Sequence, residues 1–400
     1  MGYKVLLLEG IHNAAAENLL NAGCSVESLD AAIGIEELRE KIRGVNAIGV
    51  RSKTHLPYSV LESAKDLLAI GCFCIGTDKV DLGAASLMGV PVFNAPFSNT
   101  RSVAELAIAE IIMLARSACF RSYQLHRGIW NKTSEGSCEV RHKTLGIVGY
   151  GHIGQQVGVL AESFGMKVIY YDIVAKLPLG TARKADTLEE LLKASDFVTL
   201  HVPETSLTKG MIGKREIALM KDGAYLLNLA RGSVVDISAL REAILSRKLK
   251  GAAIDVFPNE PESNGEGFEF ELQGLENVIL TPHIGGSTEE AQKNIGLEVS
   301  NAIIDYLYRG AVSSAVNFPN VSLPLSKEAH RLLNIHKNVP GVLGAINGII
   351  SEAGANICSQ YLGTYNDIGY LIMDLDSEIS DAVMAKIDAL DTTLKTRLIS

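Results

Sequence analysis

The sequence lacks the features of membrane proteins and of nucleic-acid-binding proteins. It carries a single tryptophan, aromatic residues make up 6% of it, and its formal net charge is −9. A broad surface for nucleic acid or anionic lipid needs clustered Lys and Arg. The negative net charge argues against such a surface. No apolar run approaches the roughly 20 residues that span a bilayer. We therefore expect neither a nucleic-acid partner nor a membrane partner.

The amino terminus and the cysteines favour a cytoplasmic protein. The apolar part of MGYKVLLLEG is too short for a secretory signal. The six cysteines are scattered without the spacing of a zinc site. Cys72 and Cys74 alternate along the apolar run LLAIGCFCIG, which is typical of a buried strand. We predict reduced structural thiols and no metal.

Strand and helix patterns alternate through most of the chain. KVLLLEG and NAIGVRS predict strands, whereas AAAENLLNAG and IEELREKIRG predict helices. A second run of the same kind begins at TLGIVGYGHIG and continues to NVILTPHI. Such alternation predicts parallel sheets covered by helices on both faces. The expected fold class is α/β, with two doubly wound parallel-sheet domains of Rossmann-like or flavodoxin-like type.

The carboxyl-terminal third predicts a different arrangement. A long helical pattern ends at Gly310 and is expected to run back to the first domain. The stretch AVNFPNVSLPLSKEAH has two prolines and no periodicity, so it predicts a linker. The remaining order β-α-β-β-α-β is ferredoxin-like. We expect a discontinuous first domain (1–98 with 286–327), a second domain (99–285) and a third (328–400).

A glycine-rich loop opens the second domain. GYGHIG, at 149–154, follows the strand TLGIV and precedes an apolar-periodic helix, which is the context of a dinucleotide-binding loop. Gly149 would make the tight turn, Gly151 would admit the pyrophosphate, and Gly154 would let helix and strand pack closely. The helix N-terminus would attract the phosphates. The alternative is a glycine-rich turn without a ligand.

The acidic residue that such a loop requires is present. The next strand, KVIYYD, ends in Asp172, eighteen positions after Gly154. A carboxylate there accepts hydrogen bonds from ribose hydroxyls and repels a 2′-phosphate. The sequence therefore predicts NAD rather than NADP.

Three polar residues follow apolar strands of the second domain. Arg231 lies in NLARGSVVD, Glu260 in DVFPNEP and His283 in LTPHIGG. Ligands of doubly wound sheets bind beyond the carboxyl ends of the strands, so we expect the three side chains to meet there. Each also has a plain structural interpretation: a salt bridge for Arg231, a loop acid for Glu260, and a helix cap for His283.

Together the three groups suit the oxidation of a 2-hydroxy acid. An imidazole, whose free pKa is about 6.5, can take the hydroxyl proton while hydride leaves the carbon. A carboxylate beside His283 fixes its tautomer and favours its protonated form. The planar fork of Arg231 can hold the substrate carboxylate or carbonyl.

Motifs throughout the chain resemble a known enzyme family. GYGHIG with its downstream acid, HVPETSLTKGMI, NLARGSVVD, DVFPNEP and TPHIGGST are similar to motifs of the D-isomer-specific 2-hydroxyacid dehydrogenases. GVRSKTHL, VFNAPFSNTRSVAELAI, RGIWNKT and NIHKNVPGVL resemble the branch that oxidises 3-phosphoglycerate. The resemblance covers essentially the whole chain.

The resemblance implies roles for individual residues. His283 would be the proton donor and acceptor, Glu260 its partner and Arg231 the substrate anchor. Further substrate contacts are implied at Arg51, Ser52 and Asn99, although Arg51 also has an interpretation as a surface salt bridge. Asp255 would face the nicotinamide carboxamide. The implied NAD-binding positions are Gly149, Gly151, His152, Ile153, Gly154, Asp172, Leu229, Ala230, Arg231, Asp255, His283, Ile284, Gly285 and Gly286.

The implied reaction is NAD-dependent oxidation of 3-phospho-D-glycerate to 3-phosphooxypyruvate, the first step of L-serine biosynthesis. One alternative is another D-2-hydroxyacid dehydrogenase, acting on glycerate, hydroxypyruvate or 2-oxoglutarate. Another is a dehydrogenase-like corepressor that senses nucleotides. The appended third domain counts against the former, because a feedback sensor suits a biosynthetic first step.

The third domain resembles an ACT domain, a small effector-binding module. The resemblance implies an L-serine pocket at Asn338 and Asn356, with His336 nearby, shared across a pair of domains. Paired ACT domains together with contacts between the large domains would give a homotetramer. SKEAH stands where relatives have adjacent glycines, so we expect weaker transmission of the effector signal.

Overall fold

A computed structural model describes residues 2–261, 264–324, 330–377 and 379–399. Contacts divide the chain into two compact units, Met1–Ser98 with Gln292–Ser400 and Asn99–Ala291. Among the described residues, no helix is both long and apolar enough to cross a bilayer. Within those same ranges, no cluster of three metal-ligating side chains is found. The division into three domains stays a proposal, and two of its predicted boundaries, 327 and 328, lie outside the described residues.

The first unit contains a parallel five-stranded sheet of flavodoxin-like order. Its strands follow the order β2-β1-β3-β4-β5. Apolar residues line the central strands, because both faces are covered by helices. The elements are β1 (Lys4–Leu7), α1 (Asn13–Asn21), β2 (Ser25–Ser28), α2 (Ile35–Lys41), β3 (Ala47–Val50), α3 (Tyr58–Leu61), β4 (Ala69–Cys72), α4 (Leu82–Leu87) and β5 (Val92–Asn94).

Two details of this sheet differ from the sequence prediction. The apolar strand ends at Cys72, so Cys74 lies in the bend that follows it. Its thiol donates to the carbonyl oxygen of Gly76 at 3.1 Å. The edge strand β2 was not predicted, because SVES carries no apolar alternation and is largely exposed. None of the six cysteines, all of which lie within the described residues, forms a disulfide.

The second unit contains a parallel seven-stranded sheet. Its order is β12-β11-β10-β9-β6-β7-β8, so the chain changes direction across the sheet between β6 and β9. Ligands of such sheets bind beyond the carboxyl ends at this switch point. The elements are α5 (Thr100–Arg116), α6 (Ala118–His126), β6 (Thr144–Val148), α7 (His152–Ser163), β7 (Lys167–Tyr171), β8 (Arg183–Lys184), α8 (Leu188–Ala194), β9 (Phe197–Leu200), α9 (Lys214–Leu219), β10 (Ala224–Asn228), α10 (Ile237–Leu245), β11 (Leu249–Ile254) and β12 (Val278–Leu280).

The carboxyl-terminal sheet is antiparallel and has the order β14-β15-β13-β16. Its βαββαβ sequence confirms the ferredoxin-like prediction and, with the two parallel sheets, the predicted fold class. The long helix α11 precedes it. The elements are α11 (Glu289–Arg309), β13 (His330–Lys337), α12 (Val342–Glu352), β14 (Ile357–Tyr365), β15 (Ile368–Leu375), α13 (Asp381–Asp388) and β16 (Thr393–Ile399).

The antiparallel sheet packs within the first unit instead of standing apart from it. Its residues share one apolar core with β1 and α11. Arg331, fully buried, forms a bidentate ion pair with Asp374 at 2.6 and 2.8 Å and also donates to the carbonyls of Arg309, Leu323 and Pro324. Through these hydrogen bonds, Arg331 connects β13 to the end of α11 and to the segment that follows α11.

The predicted linker is irregular but packed. Phe318 and Val321 are buried in the core of the first unit. The Asn317 side chain accepts from the Val92 amide at 2.8 Å and donates to the Val90 carbonyl at 3.0 Å. Residues 325–329, which include most of SKEAH, lie outside the described residues.

Candidate active site

The loop between β6 and α7 has the geometry of a dinucleotide-binding turn. Gly149 has φ 90°, and a Cβ there would collide with the carbonyl of His201 on the neighbouring chain segment. A Cβ on Gly154 would collide with the Gly149 carbonyl. Both positions therefore require glycine, one for the backbone conformation and both for close approach.

Gly151 differs from these two glycines because it faces open space. Its backbone is extended, and a Cβ would meet nothing within 4 Å. No side chain caps α7, which has 12 residues. The helix dipole favours negative charge at this end of the helix. The loop fits the pyrophosphate of a dinucleotide.

Asp172 lies beside this loop. It follows β7, and its Oδ2 accepts from the Tyr150 amide at 2.8 Å. Its Oδ1 accepts from the Val174 amide at 2.9 Å. These two bonds orient the carboxylate at the end of the strand, where an acid can accept from ribose hydroxyls.

His283 and Glu260 form a hydrogen-bonded dyad. His283 Nδ1 lies 2.8 Å from Glu260 Oε2. A carboxylate can only accept, so Nδ1 carries the proton and Nε2 is left for proton exchange with a substrate. The second oxygen, Glu260 Oε1, accepts from the Phe257 amide at 3.2 Å. The acid is therefore held on both sides.

The two partners change each other's protonation in opposite directions. The Glu260 hydrogen bond raises the pKa of His283 above its usual value, against burial and the Arg231 charge, which lower it. Burial alone would raise the pKa of Glu260, but its bonds to His283 and Phe257 and the charge of Arg231 bring it below its usual value. The dyad thus stabilises the imidazolium form.

The backbone of His283 is held in an uncommon conformation by Asp255. His283 has φ 52°, a left-handed value that is rare for a residue with a side chain. Asp255, 1% exposed, accepts from the amides of Ile284 and Gly285 at 2.8 Å each and from the Thr281 hydroxyl at 2.6 Å. Strain held in this way is typical of functional sites.

Arg231 reaches the same edge of the sheet from β10. The Asn228 side chain donates to the Arg231 carbonyl at 2.9 Å and accepts from the Ala230 amide at 3.1 Å. A Cβ on Gly232 would collide with the Phe257 backbone, so the two loops touch. This contact brings Arg231 close enough to Glu260 to influence its ionisation.

A cavity of about 330 Å³ opens beside the dyad. Its size suits a small ligand rather than a macromolecule. It is lined by Phe257, Glu260, Pro261, Asn264, Gly265, Phe268, Pro282 and His283.

Comparison with known proteins identifies this unit. Residues 108–285 match the NAD-binding domain of D-isomer-specific 2-hydroxyacid dehydrogenases. The D-3-phosphoglycerate dehydrogenases of Dictyostelium discoideum and of Escherichia coli K12 are each 53% identical to the chain, over 99% of it and 97% of their own length. The chain belongs to the D-isomer-specific 2-hydroxyacid dehydrogenase family. Residues 332–395 match an ACT domain of the acetohydroxyacid synthase small-subunit type (AHAS).

A solved structure with a similar fold contains bound NAD. D-lactate dehydrogenase from Aquifex aeolicus, complexed with NAD and lactic acid, is 30% identical, with a TM-score of 0.65. The alignment covers 76% of this chain and 95% of that one. The prediction of NAD as the cofactor is therefore confirmed at the level of the domain, whereas the individual contact residues stay predictions.

The expected substrate residues are divided between the two units. Arg51 and Ser52 follow β3 in the first unit. Arg51 is half-buried, and its Nη1 donates to the Glu9 carbonyl at 3.3 Å. In the second unit Asn99 precedes α5, and its buried Oδ1 has no hydrogen-bond partner in the described chain. Their contact with a family substrate stays a prediction.

The residues that we predict to bind the effector lie in two different environments. Asn338 and Asn356 are exposed at strand ends. His336 is buried in the sheet, where its Nδ1 lies 2.9 Å from Asn334 Oδ1 and its ring covers Gly369. Burial lowers the pKa of His336. All three assignments stay predictions.

Sequence patterns did not reveal the residues that hold the site together. Asn228 orders the Arg231 loop, and Thr281 donates to Asp255. Glu9 orders the Arg51 loop. For Glu9 a signal was present, since it is a charged residue that ends the apolar run VLLL and precedes Gly10. Asn228 lies within a buried strand end and offered no such signal.

Proposed function

We propose that the protein oxidises 3-phospho-D-glycerate to 3-phosphooxypyruvate with NAD, at the entry to L-serine synthesis. The observation that carries the proposal is the His283–Glu260 dyad, joined at 2.8 Å, inside the NAD-binding domain of this family. The substrate follows from the names of relatives that align with 99% of the chain.

In the proposed reaction the substrate hydroxyl donates its proton to His283 Nε2 as C2 loses hydride. Bound NAD supplies the hydride acceptor. Glu260 stabilises the imidazolium that forms, because it accepts from Nδ1 throughout. Arg231 holds the carboxylate through a charge-assisted bond. For the phosphorylated acid we propose further contacts at Arg51, Ser52 and Asn99.

The first experiment separates catalysis from nucleotide sensing. His283→Ala should lower kcat by about 10²–10⁴, the range for a removed acid–base group, while NAD still binds. His126→Ala is the matched control, since His126 ends α6 on the surface of the same unit. Undiminished turnover by His283→Ala would remove the imidazole from the mechanism. Absence of turnover by the wild type, with NAD bound, would favour the sensing role.

We further propose that L-serine binds across paired ACT domains of a homotetramer. Asn338 follows β13 and lies beside the turn that joins β14 to β15, where its side chain donates to the Asn366 carbonyl at 3.0 Å. Asn356 lies at the opposite end of β14, where its backbone amide donates to the Asp376 carboxylate at 2.9 Å. At about 3.3 Å per residue, strands of this length separate the two asparagines by more than 20 Å.

One serine therefore cannot touch both asparagines of a single chain. Two copies paired antiparallel through the exposed edge of β14, about a two-fold axis perpendicular to the strands, would bring Asn338 of one beside Asn356 of the other. This arrangement gives two equivalent pockets per pair.

Calorimetry tests the effector proposal. We expect one serine per chain, inhibition of turnover by serine, and loss of both in Asn356→Ala with uninhibited activity intact. An effector of this kind typically changes the affinity of the other site by about 5–150-fold. Absence of heat on titration would refute the pocket, whereas binding without inhibition would locate the failure in transmission.

A further inference from the structure

Glu9 fills a ring of backbone amides in the first unit. It follows β1, and the residue is only 7% exposed. Each carboxylate oxygen accepts two bonds from the loop after β3. Glu9 Oε1 accepts from the amides of Arg51 at 3.2 Å and Thr54 at 2.7 Å, and Oε2 accepts from Ser52 and Lys53 at 3.0 Å each.

The backbone of Glu9 makes a fifth contact with the same loop. Glu9 has φ 66°, which is unusual for a residue with a side chain. Its carbonyl accepts from Arg51 Nη1 at 3.3 Å. One residue therefore fixes both the course of the loop and the direction of the Arg51 guanidinium.

Successive amides that point to one spot form an anion-binding concavity. Here the anion is internal, because the Glu9 carboxylate already occupies all four donors. A phosphate at this loop must then be met by side chains rather than by these amides. Burial would raise the pKa of Glu9, but the bonds from Thr54, Lys53 and Arg51 lower it, so the group stays ionised at neutral pH.

We propose that Glu9 is a positioning residue for the phosphorylated substrate. It organises residues 51–54 so that the side chain of Arg51 is presented to the phosphate in one orientation. Glu9 itself does not touch the substrate. The inference rests on the proposed function, because Arg51 is a substrate contact only if the phosphorylated acid is the substrate.

Glu9→Gln tests this role with almost no change of volume. An amide nitrogen in place of one oxygen faces two amide donors and can accept from neither. We expect KM for 3-phosphoglycerate to rise about tenfold, since a bond to a charged group is worth about that factor. The KM for NAD should not change, and kcat should change far less, which marks lost ground-state binding.

The double variant with Arg51→Ala distinguishes positioning from general damage. If Glu9 acts through Arg51, the two effects on KM should be less than multiplicative, because residues in one network are coupled. Asp81→Asn is the matched control. The Asp81 carboxylate also accepts a backbone amide, that of Ala84 at 2.9 Å, but it caps α4 and makes no bond to residues 51–54. Asparagine caps a helix as well as aspartate does, so this variant should change neither the stability nor the KM appreciably.

The outcomes separate this proposal from the proposed function. If the wild type oxidises 3-phosphoglycerate but Glu9→Gln has the same KM for it, only the role of Glu9 is overturned. Fully multiplicative effects with Arg51→Ala also overturn it. No NADH formation by the wild type overturns the proposed function and, with it, this inference.

A second measurement serves if Glu9→Gln does not fold. In the folded wild-type protein, the backbone amides of residues 51–54 should exchange their hydrogens slowly before any substrate is added, because they are bonded to Glu9. Exchange at the rate of an open loop would overturn the proposal.

Discussion

Gly151 offers a test of the cofactor site that leaves the fold intact. Its backbone is extended, and an added Cβ meets no protein atom within 4 Å. Gly151→Ala should therefore fold with unchanged stability in the absence of NAD. The methyl group would occupy the space in which a pyrophosphate approaches the α7 amides, so NAD affinity should fall.

The magnitude follows from linkage between binding and folding. At an NAD concentration 100 times Kd, the wild type gains about 2.7 kcal/mol of stability. For a unit of 150–250 residues, 1 kcal/mol shifts Tm by about 2–4 °C. NAD should thus raise the wild-type Tm by about 5–11 °C and that of Gly151→Ala by much less.

Gly149→Ala is the contrasting variant. Its positive φ alone costs about 1–2 kcal/mol for a residue with a Cβ, and the His201 carbonyl blocks the methyl. Its Tm should fall even without NAD. Differential scanning calorimetry of the three proteins, each with and without NAD, provides the measurement. An NAD-induced shift in Gly151→Ala equal to that of the wild type would refute the reasoning.

Three further changes address cofactor choice, the dyad and the core. Asp172→Ala should narrow the preference for NAD over NADP, measured as the ratio of kcat/KM values, because the repulsion of a 2′-phosphate is lost; an unchanged ratio would contradict it. Glu260→Gln removes the partner that raises the imidazole pKa, so the rise of kcat/KM with pH should move to lower pH; an unmoved profile would reject the pairing. Arg331→Ala leaves Asp374 buried and unpaired, which costs about 3–5 kcal/mol in urea unfolding. Arg309→Ala, which loses only an exposed pair, should cost less than about 1 kcal/mol.

The sequence predicted the elements that depend on periodicity and on backbone conformation. The strand before GYGHIG, the helix after it and the acid at 172 follow from apolar runs and from Gly149 and Gly154, where an added Cβ would collide with backbone carbonyls. The dyad was predicted because Glu260 and His283 both follow strands of one parallel sheet, whose carboxyl ends share an edge.

Contacts between distant segments left no such pattern. Arg331 and Asp374 lie on different strands, and only the antiparallel register places them opposite each other. The packing of Phe318 and Val321 depends on shape complementarity with the first unit, so an aperiodic segment resembled a linker. The ordering of the Arg51 loop depends on backbone amides, which every residue except proline carries and no sequence pattern marks.

The central claim is that the protein oxidises a phosphorylated 2-hydroxy acid. The most direct measurement is NADH formation by the purified wild-type protein with 3-phospho-D-glycerate and, in parallel, with D-glycerate. We expect turnover of the phosphorylated acid with a much higher kcat/KM, since charge-assisted contacts to phosphate are worth about 1.5–3 kcal/mol each. Equal kcat/KM for the two acids, or NADH formation with D-glycerate alone, would contradict the account.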